Sequence, residues 1–379
     1  MKKALIVANL GGFASFLKND INILQKMGYE ITYAANATKL EWSDTYEWLK
    51  SRNVRFVQVD CDSRNPLQSG NLEAYKQVKK LLAEGSFDLI HCHTPIIGAI
   101  VRLAAKRYRR KGTKVIYTTH GFSFTAKSSW KQKLLYQGCE TVCAKFCDAI
   151  VTINREDFAA AKKMKRKNVF YIHGVGVDTK RYRDVTIDRS EYRRSLGVFD
   201  DEVMVLSVGE LSERKNHHII IKALSKITSD KKYVYVICGN GIDGGTGQML
   251  KEEAQKRNVR LLLLGFRSDI PQITKCSDVG AIPSVREGLG LAGIQSLAAG
   301  VPVVGTDVQG IRDYIKTNEN GFLCDAYDAE AFAEAIEKIA SMSKPEMEKM
   351  EKCCVEMAQQ FDISVSWKEM EEIYQTILS

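Results

Sequence analysis

Val279-Gly280-Ala281-Ile282-Pro283-Ser284-Val285-Arg286-Glu287-Gly288-Leu289-Gly290-Leu291-Ala292-Gly293-Ile294-Gln295-Ser296-Leu297-Ala298-Ala299-Gly300-Val301-Pro302-Val303-Val304-Gly305 reads as strand, loop, helix and strand. The runs Val279–Pro283 and Val301–Gly305 are apolar without alternation, so both faces of each strand are covered. Leu291–Ala299 between them has the length and composition of a crossover helix. The loop brings an acid, Glu287, to a strand end beside glycines that expose amides at the next helix's start. Such amides and the helix dipole favour phosphate, while a carboxylate accepts hydrogen bonds from hydroxyls. Gln295 falls eight residues after Glu287, about two turns into the helix and on the face of its start.

The same rhythm runs outward in both directions. Strands are predicted at Val203–Val208, Tyr233–Cys238 and Val259–Leu264, with helices at Asn216–Ile227, Gln248–Arg257 and Ala329–Ala340. In the first half strands are predicted at Lys3–Ala8, Glu30–Ala35, Val54–Val59, Phe87–Cys92, Lys114–Thr119 and Asp148–Ile153. Amphipathic segments such as Ser15–Met27, Leu72–Ala83, Ile96–Arg109 and Lys131–Phe146 separate them. The pattern predicts an α/β chain of two doubly wound, Rossmann-like domains with a cleft between them. The glycines of His173–Tyr182 read as the connection. The expected division is residues 1–175 and 176–363, with an amphipathic helix at 364–379 returning to the first domain.

At 379 residues the chain is long enough for two domains, and no apolar run approaches a membrane span. Met1–Ala8 reads as a buried first strand and not as a secretion signal, so a cytoplasmic protein is expected. The ten cysteines lack the spacing of a disulfide framework. Cys139, Cys143 and Cys147 share a helix face but cannot close a tetrahedron alone, and read as small core thiols.

Charge is uneven. Residues 1–180 carry 30 Lys/Arg against 15 Asp/Glu, whereas residues 181–379 carry 25 against 31. The basic clusters Arg102–Lys111 and Lys162–Lys167 each fit a solvated helix end, and together they point to an anionic partner. No basic–aromatic platform or recognition helix accompanies them, so nucleic acid is not the expected partner.

Three other loops close strands. Gly11-Gly12 opens a helix and suits either a tight turn or an anion. Arg214-Lys215 supplies adjacent cations after Gly209, where a diphosphate or plain solvent would satisfy them. Gly239-Asn240-Gly241-Ile242-Asp243-Gly244 spells G-x-G-x-x-G, but lacks the acid about twenty residues on that a dinucleotide site needs. Asp60-Cys61-Asp62 spells D-x-D apart from these loops, and no metal is expected there. His120, at a strand end before Gly121, faces a cleft or caps the sheet. His91 and His93 share a strand face as a site or as satisfied core groups, and His217-His218 reads as surface.

These residues together resemble the family 4 glycosyltransferases, retaining enzymes of the GT-B fold. Glu287–Gln295 resembles the family's E-x7-E region, and Gly209–Asn216 its phosphate-binding G-R-L-x-x-x-K-G loop. Leu264–Ile270 resembles the base-binding loop, Tyr117–Phe122 the T-x-H-G turn, and Val175–Asp178 the interdomain link. Thr306–Gly310 and Asn320–Leu323 complete the set, and the first half is most similar to the capsule and exopolysaccharide branch. The resemblance implies that Glu287 contacts the donor sugar and that the amides of Gly288, Leu289, Gly290 and Leu291 hold sugar and phosphates. It implies that Lys215 with Arg214 neutralises the leaving diphosphate, and that Arg267 and Ile270 flank the base. His120 would lie near the sugar, with Gly11 and Gly12 over the phosphates and Gly209 and Gly239 in the donor loops. Two positions depart from the family: Gln295 stands for the second acid, and Glu210 for the Arg of G-R-L. An amide carbonyl still accepts from ribose hydroxyls, whereas Glu210 shifts leaving-group charge onto Arg214 and Lys215.

The implied reaction moves a sugar from a UDP-linked donor to a lipid-linked saccharide, with no metal or other cofactor, at an anionic membrane surface touched by the basic first half. An epimerase on the same fold and a non-enzymatic nucleotide-binding protein are the alternatives, separated by whether donor is consumed only with acceptor.

Overall fold

A computed structural model describes residues 1–38, 43–61, 68–164 and 166–379. Of the positions singled out above, Asp62 and Lys165 lie outside the described residues. The chain divides into two compact units, Met1–Val175 with Ser364–Ser379, and Gly176–Ile363.

The first unit holds seven parallel strands: β1 (Lys2–Leu10), β2 (Tyr29–Asn36), β3 (Arg55–Gln58), β4 (Leu89–His93), β5 (Lys114–Thr119), β6 (Ala149–Thr152) and β7 (Val169–Tyr171). Their order is β3-β2-β1-β4-β5-β6-β7, so the winding reverses between β1 and β4. In the second unit β8 (Glu202–Val208), β9 (Lys232–Cys238), β10 (Arg260–Gly265), β11 (Val279–Ile282), β12 (Val303–Thr306) and β13 (Gly321–Cys324) run in the order β10-β9-β8-β11-β12-β13. Each sheet is parallel throughout and each unit is doubly wound, the fold expected from the apolar runs. Ala4–Ala8 of β1 and Val234–Ile237 of β9 are fully buried because helices cover both faces.

The final helix, Ile363–Leu378, buries Ser366, Met370, Ile373, Tyr374 and Ile377 at helical spacing. Its Tyr374 hydroxyl donates to Asp20 (2.7 Å), and Glu369 holds His173 Nδ1 at 2.6 Å, so the helix closes the first unit.

Several local expectations change. Arg102, counted in a solvated basic cluster, is fully buried, with an Nη donating to Glu140 at 2.8 Å and its guanidinium 3.8 Å above the Tyr117 ring. The partner acid lies 38 residues away and is invisible to a charge run. His217 is also buried, bonded to the Tyr235 hydroxyl at 3.0 Å, whereas His218 is exposed as expected. Cys143 and Cys147 are core thiols, but Cys139 is exposed. The Lys131–Phe146 segment is not one regular helix: Trp130–Gln132 and Gly138–Ala144 flank a π turn at Lys133–Gln137. Tyr136 within this turn packs on the core, and Glu140, four residues on, reaches Arg102.

Candidate functional site

In the second unit the chemistry-bearing loops leave the carboxyl ends of β8, β9, β10 and β11. Three are laced edge to edge by backbone bonds: Gly209 N donates to Cys238 O, Gly239 N to Gly265 O, and Leu211 N to Asn240 O, each at 2.8 Å. A Cβ on Gly239 would lie 1.8 Å from Gly209 O. The first glycine of the G-x-G-x-x-G stretch therefore serves this close approach.

The helix expected from Asn216 starts later, at His218. Glu213–Lys215 forms a short 3-10 turn, and Asn216 takes a left-handed conformation (φ 55°). Its side-chain amide donates to Pro283 O (3.0 Å) and Ala326 O (2.8 Å), pinning the turn to the β11 loop. Val285 N donates to Arg214 O at 3.0 Å across the same seam. Lys215 and Arg214 are thereby delivered onto Glu287: Lys215 Nζ lies 2.8 Å and an Arg214 Nη 3.0 Å from Oε2. The other Arg214 Nη reaches Glu210 Oε1 at 3.1 Å. Burial alone would raise the Glu287 carboxyl, but Lys215 and Arg214 outweigh it and hold the group below its ordinary pKa.

Gly288–Gly290 follows Glu287 and ends in a left-handed Gly290 (φ 81°), which caps the helix Leu291–Ala298. The Tyr314 hydroxyl donates to Gly290 O at 3.1 Å, and a Cβ on Gly310 would meet Gly288 O at 2.2 Å. Gln295 is partly exposed on this helix. Gln309, inside the Thr306–Gly310 stretch but given no role of its own from the sequence, is buried beside Gly310 with both amide atoms unpartnered. Only packing reveals it. Arg267 lies at the end of β10 in a two-pronged pair with Asp269, and Ile270 opens the next helix.

In the first unit, β1 runs into a 3-10 turn at Gly11–Phe16, not directly into an α-helix. Phe13 from this turn sets its ring edge-on to His120, with centroids 4.8 Å apart. The Gly11–Phe16 turn thus reaches His120 through Phe13. His120 Nε2 lies 3.2 Å from His93 Nδ1, and the His91 and His93 rings stand 4.0 Å apart. The single Tyr374 proton goes to Asp20, so His91 Nδ1–H donates to the Tyr374 oxygen (2.7 Å) and His91 Nε2 accepts from Thr118 (2.7 Å). His91 is therefore a satisfied core group, while His93 Nε2 is buried and unpartnered.

Burial pushes the His120 and His217 rings down to about 4 and His91 to about 3. Folded-state pKa values below the unfolded value mean that these rings stabilise the fold above pH 6.5. That contribution is lost as pH falls from about 6.5 towards 4, and near pH 4.5 it amounts to about 2–3 kcal/mol per ring. Asp20, raised by burial to about 6, works the other way, favouring the fold as pH falls through 6. Three rings outweigh one carboxyl, so denaturant midpoints should drop steeply between pH 6.5 and 4.5; a flat profile would mean these rings are not buried neutral.

Among the described residues, no three His, Cys, Asp or Glu side chains cluster as metal ligands. The Asp60 carboxylate accepts from Gln58 (2.7 Å) and Gln77 (2.8 Å).

Two family models match the chain, Glycosyltransferase Family 4 over residues 10–181 and Glycosyl transferases group 1 over residues 188–359. EpsD of Bacillus subtilis (strain 168) is 36% identical over 355 residues, covering 91% of this chain and 89% of EpsD. The UDP-Gal:alpha-D-GlcNAc-diphosphoundecaprenol alpha-1,3-galactosyltransferase of Escherichia coli is 28% identical, covering 76% and 75%. The crystal structure of Anabaena HepE in complex with UDP and glucose matches with a TM-score of 0.80 at 20% identity, covering 99% of this chain and all of that one. The chain belongs to the family 4 glycosyltransferases of GT-B fold, in their exopolysaccharide branch.

Proposed function

We propose that this glycosyltransferase moves a hexose from a UDP-sugar to a lipid-linked saccharide, with retention of the anomeric configuration and without a metal. The observation that carries this reading is the convergence of Lys215 and Arg214 on Glu287 at the start of the Leu291–Ala298 helix. Breaking a sugar–phosphate bond leaves positive charge on the anomeric carbon and negative charge on the diphosphate. Lys215, Arg214 and the amides of Gly288–Leu291 take up that negative charge. Both cations sit on Glu287 Oε2, which leaves Oε1 to accept from sugar hydroxyls. Gln295 accepts from the ribose through its carbonyl, and Arg267 with Ile270 flanks the base. His120, neutral at pH 7, bonds the sugar or acceptor without adding charge.

The Escherichia coli relative is named for a UDP-galactose donor and a diphosphoundecaprenol-linked acceptor, and HepE was crystallised with UDP and glucose. Both support the donor class. No described helix is long and apolar enough to cross a membrane. In this reading the lipid-linked acceptor is met at the bilayer surface, which the basic first unit touches on the cytoplasmic side. Purified protein given UDP-, GDP- and ADP-hexoses should release nucleotide from a UDP-sugar only when a diphospholipid-linked saccharide is added. Donor loss without acceptor, or a product of inverted configuration, would overturn the reading.

A further inference from the structure

The chain between β5 and β6 carries an apolar face that the core leaves uncovered. Trp130, Leu134 and Leu135 are 70%, 71% and 61% exposed, and Val142 further along is 52% exposed. The opposite face is buried: Tyr136 packs on the core, and Glu140, Cys143 and Ala144 lie inside. A capping box between Ser129 and Gln132 fixes the start of this segment, so Trp130 is presented on ordered backbone.

Cations surround it. Residues 101–147 contain eleven Lys/Arg and a single acid, Glu140, which is buried against Arg102. Lys127, Lys131 and Lys145 are exposed along the segment, and Lys131 lies 5.7 Å from the Trp130 ring centroid. The apolar centre has a mainly cationic rim, with one part-exposed carboxylate, Glu156, accepting from Ala126 N (2.7 Å); this does not suit a second copy of this chain, because a two-fold contact would set mostly like charges together. It does suit an anionic bilayer, where Trp and Leu enter the interfacial layer and lysines reach the headgroups.

Its place in the fold also matters. A crossover helix after a parallel strand starts at that strand's carboxyl edge, and Trp130 follows His120 by ten residues. The apolar face therefore stands at the edge that holds His120 and the Gly11–Phe16 turn.

We propose that Trp130, Leu134 and Leu135 form a wedge that enters the interfacial layer of an anionic membrane and sets the His120 edge of the first unit against it. The wedge deepens the reading of a membrane-borne acceptor and rests on it for its purpose. The test is flotation of the full chain with phosphatidylcholine vesicles, with and without about 30 mol% phosphatidylglycerol. The anionic vesicles should bind at least about tenfold tighter, and Trp130→Ala/Leu134→Ser/Leu135→Ser should cut that binding at least about tenfold with an unchanged melting curve. Brominated acyl chains should quench wild-type tryptophan fluorescence, and quench the conservative variant Trp130→Phe much less. Equal binding by wild type and triple variant, equal binding to neutral vesicles, or a dimer that the triple variant dissolves would each overturn the wedge. Transfer to a water-soluble acceptor analogue is read in parallel. Its loss in the wild type would count against the transferase reading, and its persistence in the triple variant keeps the two questions apart.

Discussion

Lys215→Ala should lower kcat by at least about a hundredfold while the protein keeps its melting temperature within a few degrees. The Lys215 ammonium lies 2.8 Å from Glu287 and is the closer of the two cations held there. Removing one preorganised charge partner of a developing anion costs about a hundred- to a thousandfold in rate, or about 3–4 kcal/mol of transition-state stabilisation. Arg214 cannot take over fully, because it is shared between Glu287 and Glu210. The position held by Glu210, an Arg in the family pattern, therefore leaves Lys215 carrying more of the leaving charge. Donor KM should change much less than kcat, since the diphosphate gains its extra charge only as the bond breaks. Single-turnover transfer rates separate the two, and near-normal turnover would remove Lys215 from the role.

The largest stability loss should come from Glu140→Ala in the first unit. Arg102 is fully buried, with Nε donating to Gly98 O (2.9 Å) and an Nη to Glu140 (2.8 Å), while the Tyr117 hydroxyl donates to the other Glu140 oxygen (3.0 Å). Deleting the acid leaves a buried guanidinium without its counter-charge, which costs about 3–5 kcal/mol. For a unit of this size that lowers the midpoint by roughly 10 °C. Replacing both partners, as Arg102→Met/Glu140→Met, should recover much of the loss, because the desolvation cost of the pair goes with it. Calorimetry on the two variants distinguishes this from simple cavity formation, in which the double variant would be the worse. A Glu140→Ala loss below about 1 kcal/mol would contradict the burial of the pair.

Much of this molecule is legible in its sequence because parallel strands covered on both faces are written as unbroken apolar runs. Glycines and charges accumulate where those strands end, so Glu287, Lys215 and His120 stand out in the sequence itself. What sequence misses are groups whose meaning lies with a distant partner. Arg102 looks like one more cation in a basic helix end until Glu140 is found beneath it. His217 looks exposed at a helix start, but the Tyr235 hydroxyl and Glu210 O hold it inside. The delivery of Lys215 onto Glu287 depends on one left-handed Asn216 pinned by two carbonyls, a backbone choice that no periodicity encodes. The first glycine of the G-x-G-x-x-G stretch has a distant reason too, since it is demanded by Gly209 O.

The most direct test of the central claim is a crystal structure of the protein with a UDP-sugar bound. The account predicts the diphosphate within hydrogen-bonding distance of Lys215 and Arg214 and of the amides of Gly288–Leu291, with a sugar hydroxyl on Glu287. A diphosphate seated elsewhere, with Lys215 and Arg214 still paired with Glu287, would contradict it.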